Sequence, residues 1–228
     1  MAGLMKIALT REAGRNDEAR SWLPSDAEVV EVPLTSTNYF AIDEVARHLE
    51  STPDYGSFEV LVVTSRRTTD YIHAALGALV EGGGVLSVGP ATTRALFHRG
   101  IAVSGEAPTG LELAELISKG PVLMMGAAQM REELPAALRD RELSVTQVAC
   151  YETLPAELNE EQSDLLRSAD IVLIGAPSAW SRARDIVADA TWVIVPGTST
   201  GQVVALDHPR VLVGWGPSLC ERLATFNL

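Results

Sequence analysis

The chain of 228 residues has two cysteines, Cys150 and Cys220, with no CxxC and no paired spacing. A disulfide framework is thereby excluded, and a reducing cytoplasm is the expected compartment. Positive charge is scarce, with 18 Lys and Arg against 30 Asp and Glu, a net charge of −12. General nucleic-acid binding needs a basic surface and is not expected. A local anion site is still open to turn amides and a few arginines. No apolar run approaches the ~20 residues of a membrane span. The opening MAGLMKIALTRE becomes charged too quickly for a secretory leader. We therefore expect a soluble cytoplasmic protein. Four histidines (His48, His73, His98 and His208) lack metal-ligand spacing and read as surface or helix-face residues, so no metal is expected. Nucleotide fingerprints are missing too. There is no Walker A sequence, Gly82-Gly83-Gly84 stands before a strand, and Gly214-Trp215-Gly216 has no third glycine in place.

What is present is a pattern written more than once. VLVVTSRRTTDY and VLSVGPATTRAL lie in the first half, and IVLIGAPSAWSRA and WVIVPGTSTGQVV in the second. MKIALTREAG and PVLMMGAAQMRE form a further pair. Each is an apolar run, a short Gly/Pro/Ser/Thr turn and the start of a helix. Strands are predicted at 6–10, 29–32, 59–64, 85–89, 101–104, 122–125, 144–149, 171–175, 192–195 and 211–213. Helices are predicted over 12–22, 42–49, 110–117 and 132–138, among others. Apolar runs without alternation fit parallel strands covered on both faces, which is the grammar of doubly wound α/β folds. With 46% apolar residues the chain can fill such a core. The repeat spans about half the chain, so it reads as a duplication. Two partitions are open: tandem halves split near Lys119, or a swapped arrangement. In the second, 1–34 plus 152–228 form one domain, 38–147 an inserted one, and 33–37 and 148–153 the linkers.

Strand-to-helix turns of this kind expose backbone N–H groups that suit anions, and open α/β sheets bind ligands at the carboxyl ends of their strands. The candidates are Thr64, Ser65 and Arg66 after one strand, Thr92 and Thr93 after another, and Gly126 and Ala127 after a third. Ser178, Ser199 and Thr200 occupy the later turns, and Arg11 follows the first strand. Helix capping is the competing use of every Ser and Thr here. Arg11, Arg66, Arg67 and Arg131 stand at or just past strand ends, and arginine pairs bidentately with carboxylates. Tyr151 ends a predicted strand, where a phenol can donate one hydrogen bond. Gly197-Thr198-Ser199-Thr200-Gly201 matches G-x-S-x-G. A serine hydrolase also needs a later acid and His, and Asp207-His208 are adjacent in sequence, so that chemistry is not favoured.

Taken in order, KIALTR, VVTSRRTTDY, VGPATTRALFHRGI, EAPTGLELAELI, PVLMMGAAQMREELPAALRDREL, VACYETLP and DIVLIGAPSAW resemble the uroporphyrinogen-III synthase family over nearly the whole chain. The resemblance implies two α/β domains in the swapped partition, joined by paired extended strands, with an active site in the cleft between them. It implies cyclisation of linear hydroxymethylbilane with inversion of ring D and loss of water. It implies a polycarboxylate substrate, no cofactor and a monomer. Tyr151 matches the family's tyrosine and becomes the candidate proton donor. Thr64, Ser65, Thr92 and Ser199 match its turn residues. The chain departs from the family at Ala176, where serine is usual, at the reversed Pro196-Gly197, and after Met125, where an Arg-Gly pair is common. The alternative is a non-catalytic binder of a tetrapyrrole or another polyanion. The departures make the middle domain the expected source of most side-chain contacts.

Overall fold

Both faces of each sheet are covered, and this is why Val, Ile and Leu run continuously through the strands. The computed structural model describes residues 4–223. Its strands are β1 Lys6–Leu9, β2 Glu28–Glu31, β3 Thr35–Tyr39, β4 Phe58–Val63, β5 Leu79–Val88 and β6 Gly105–Ala107. They continue with β7 Val122–Ala127, β8 Val145–Pro155, β9 Ile171–Leu173, β10 Trp192–Val195 and β11 Val211–Val213. The chain divides into two compact units, Met1–Thr37 with Leu154–Leu228, and Asn38–Thr153.

In the first unit a five-stranded sheet runs β11-β10-β9-β1-β2, with every neighbour parallel. Side chains alternate across a strand. Ala8, Val172, Ile174, Val193 and Val195 pack with Trp180 in one cluster. Ile7, Leu9, Ile171, Leu173 and Ile194 pack with Leu219 in another. In the second sheet the order is β3-β8-β7-β4-β5-β6, parallel from β8 to β6. Leu61, Val63, Leu123, Met125 and Val148 share one cluster, and Val60, Val62, Val122 and Met124 share another. The Phe40 N–H donates to Cys150 O and the Ala156 N–H to Leu34 O, both at 3.0 Å, so β3 and β8 run in opposite directions. The α/β reading with parallel sheets holds.

Some expected elements differ. The apolar stretch 101–104 is not a strand, and β6 begins only at Gly105. Gly100 adopts φ 74°, which lets the Ile101 N–H turn back to Leu96 O at 3.1 Å. Ile101 then packs in the same cluster as Leu96, closing a helix end in the manner of a glycine C-cap. The helix expected over 12–22 shrinks to Asp17–Arg20. Gly14 sits at φ 74°, and Glu12 uses its carboxylate on the Thr37 N–H (2.9 Å) and hydroxyl (3.0 Å). Side-chain bonds of this kind compete with helix. Strand β5 starts at Leu79 and takes in the three glycines, through a register shift opposite Phe58 and Val60. His208 is buried and not a surface residue. Its Nε2 lies 2.8 Å from Thr191 O, and its ring meets Trp180 edge-on at 5.5 Å. Tyr151 does not end its strand, because β8 continues to Pro155.

Cys150 is fully buried in the second unit, whereas Cys220 is exposed. Burial pushes the Cys150 thiol from its ordinary 9.0 up to about 12, with a backbone hydrogen bond from Gly126 opposing part of the rise. Because the folded value lies above the unfolded one, this thiol's contribution to stability is complete below about pH 9 and is lost as pH rises toward 12. The nucleophilic thiolate is therefore withheld at neutral pH. Iodoacetamide at pH 8 should add one group to the folded protein, at Cys220, and two after unfolding. Peptide mass mapping checks this, and labelling of folded Cys150 would contradict it.

Candidate active site

Parallel pairing brings the carboxyl ends of all strands in a sheet to one edge, so the turns that follow them gather there. In the second unit, β4 leads into Thr64 and a 3-10 helix, Arg66–Tyr71, capped by Ser65. The Ser65 hydroxyl accepts the Arg67 N–H at 3.2 Å, so this serine is spent locally as a cap. Arg66 is exposed and Arg67 half-buried. Strand β7 is beside β4, and Gly126 has no room for a side chain. A Cβ there would lie 2.6 Å from the Thr64 hydroxyl oxygen. Strand β5 leads through Gly89, at φ 77°, into helix Pro90–Phe97. Thr92 is buried, and its N–H turns to Gly89 O at 3.0 Å. The Thr93 hydroxyl lies 2.7 Å from the Ser87 hydroxyl and also donates to the Glu106 carboxylate. These amides and hydroxyls are thus largely turned toward the protein, which narrows the anion-binding role that the turns imply on their own.

Tyr151 owes its position to an irregularity between β7 and β8. Gly126 pairs with Ala149, but Ala127 pairs with Tyr151, so Cys150 is an extra residue on β8. An extra residue bends a strand and re-aims the side chain next to it. Strict alternation would send Cys150 and Tyr151 to opposite faces. Both instead lie in one buried cluster with Val148. The carbonyl of Tyr151 accepts the Ala128 N–H at 2.7 Å, which fixes the turn after Ala127. The phenol ring is flanked by Tyr39, with centroids 6.1 Å apart, and by the Arg67 guanidinium, 5.6 Å from the ring centroid. Tyr39 was missed from the sequence, and Arg67 was noted there without a distinct role. Tyr39 has no motif of its own, and it is the fold that brings both residues to Tyr151.

In the first unit, β1, β9 and β10 are neighbours and end in Arg11, in the Gly175–Ser178 turn and in the Gly197–Thr200 turn. Arg11 stacks on Trp215, 4.9 Å from the ring centroid, and lies 3.8 Å from Glu18. Ser178 and Ser199 are exposed and Thr200 is buried. Gly197 is extended, at φ −156°, whereas Gly89 needs the left-handed region, so the two glycine turns are not equivalent. The only histidine that follows Ser199 in the sequence is His208, and its ring is committed to Thr191 and Trp180. Asp207 accepts from the Trp180 indole N–H at 3.3 Å. This leaves G-x-S-x-G as a helix start without triad partners. Among the described residues no cluster of His, Cys, Asp or Glu could hold a metal, and no helix is long and apolar enough to cross a membrane.

Comparison with known proteins agrees with this architecture. Solved structures of uroporphyrinogen-III synthetase from Helicobacter pylori and of a mutant uroporphyrinogen III synthase from Thermus thermophilus share the fold. The first aligns with TM-score 0.66 and 17% identity over 97% of this chain and 98% of its own. The second aligns with TM-score 0.63 and 18% identity over 96% of each. No curated protein matches. The family model "Uroporphyrinogen-III synthase HemD" matches residues 24–227. The chain therefore belongs to the uroporphyrinogen-III synthase family.

Proposed function

We propose that the protein cyclises linear hydroxymethylbilane to uroporphyrinogen III, with Tyr151 as the proton donor to the departing hydroxyl. The observation that carries this reading is the bulge that turns Tyr151 out of strand alternation, beside Arg67 and Tyr39. Membership of the family supports the substrate class. The substrate's terminal hydroxyl is a poor leaving group until it is protonated. Tyr151 supplies that proton, water departs, and the pyrrole nitrogen stabilises the resulting azafulvenium. Ring D closes through its substituted carbon to a spiro intermediate, fragments and recombines inverted. Loss of the α-proton at the final aromatisation returns the proton and leaves the phenol neutral. Little other side-chain chemistry is needed, and the protein's larger contribution is to hold the chain in a reactive fold.

Thr64, Arg66, Thr92, Gly126 and Ala127 are proposed to meet substrate carboxylates at one sheet edge, and Arg11, Ser178, Ser199 and Thr200 at the other. Thr64, Ser65 and Thr93 are weaker candidates through their side chains, since each hydroxyl already has a protein partner. We propose that the two compact units are the protein's domains, and that it acts as a cytoplasmic monomer without a cofactor.

Hydroxymethylbilane incubated with the protein should give mainly the type III isomer, separated chromatographically. Product of type I alone, which uncatalysed closure yields, would reduce the protein to a binder. Tyr151→Phe should lower kcat by roughly 10²–10⁴-fold, the range of general acid catalysis, with an unchanged far-UV circular dichroism spectrum. Full activity in that variant would remove tyrosine as the acid.

A further inference from the structure

We infer that Arg67 is the residue that positions Tyr151 for its role, a proposal that rests on Tyr151 being the proton donor. The two adjacent arginines are alike in sequence and differ in the fold. Arg66 is exposed. Arg67 is half-buried, and its guanidinium stands 5.6 Å from the Tyr151 ring centroid. A guanidinium at this distance is attracted to the face of an aromatic ring.

The stack is built from three local features. Ser65 accepts the Arg67 N–H and sets the start of the 3-10 helix. The next two residues, Thr68 and Thr69, are buried, which anchors that helix to the core. On the opposite side of the pair, the extra residue Cys150 turns the Tyr151 ring toward the cluster that also holds Tyr71 of the same helix. Tyr71 in turn donates its hydroxyl to Phe40 O at 2.7 Å. Arg67 is therefore held by a short, pinned helix, and its head limits where the phenol can swing. This restraint acts on the proton-transfer step and leaves substrate affinity alone.

A double-mutant cycle tests this, with kcat and KM measured for hydroxymethylbilane in four proteins: unsubstituted, Arg67→Gln, Tyr151→Phe and the double variant. Arg67→Gln should lower kcat about tenfold, the factor expected for a partly desolvated cation–aromatic contact, with KM nearly constant. In the Tyr151→Phe background the same change should cost almost nothing further. An equal loss in both backgrounds would overturn the inference, because Arg67 would then act independently of Tyr151. A raised KM with constant kcat would also overturn it and make Arg67 a substrate contact, and so would no loss at all. If Tyr151→Phe alone retains full activity, the acid reading fails and the inference with it, and that result is visible in the single variant. Should Arg67→Gln not fold, Arg67→Lys keeps the cation without the planar fork. It should lower kcat by a smaller factor that again vanishes in the Tyr151→Phe background, and an undiminished loss there would overturn the proposal.

Discussion

The site depends on one extra residue in one strand. Cys150 interrupts the pairing of β7 with β8, and the interruption falls immediately before Tyr151. Without it, the tyrosine would alternate away from the 3-10 helix that carries Arg67. With it, Cys150 and Tyr151 both enter the same buried cluster. Bulges cost a ladder hydrogen bond and persist where a side chain must be re-aimed. The thiol at this position is small and apolar when protonated, and burial keeps it protonated well above neutral pH. It fills the bulge without adding a competing nucleophile beside the proposed acid.

The surrounding turns divide their labour in a way that the repeated pattern does not reveal. Ser65 is a cap, Thr93 is tied to Ser87 and Glu106, and Thr92 is buried. Gly126 is small because the Thr64 hydroxyl occupies the space a Cβ would need. In the other unit, Arg11 is placed by its stack on Trp215. Strand-end turns of one design thus do several jobs, and the hydroxyls of Thr64, Ser65 and Thr93 first satisfy the backbone or one another. Such prior satisfaction is what makes a polar strand edge rigid, because each buried polar group left unpaired would cost stability.

The sequence made the fold class legible because the strands are buried on both faces. Leu61 and Val63 serve one cluster while Val60 and Val62 serve another, so the run is apolar throughout. It misled where an apolar residue closes a helix end, as at Ile101, and where side chains compete with helix, as at Glu12. His208 read as a surface or helix-face residue because a single buried ring hydrogen-bonded to a carbonyl leaves no pattern in the chain. Tyr151 was identifiable as a candidate, but its partners were not. A register slip depends on pairing between strands about twenty residues apart, and no local signal announces it. The distinction between Arg66 and Arg67 arises in the 3-10 turn, which sends adjacent side chains in different directions.

The central claim is that Tyr151 protonates the leaving hydroxyl. The most direct test compares Tyr151→Phe on hydroxymethylbilane with the same variant on a bilane whose terminal leaving group departs as a stable anion, such as a carboxylate ester. Rates of type III product formation above the spontaneous background are measured for both substrates. The account predicts a large loss on the hydroxyl substrate and near-normal turnover on the analogue. An equal loss on both substrates, or none on either, would contradict it.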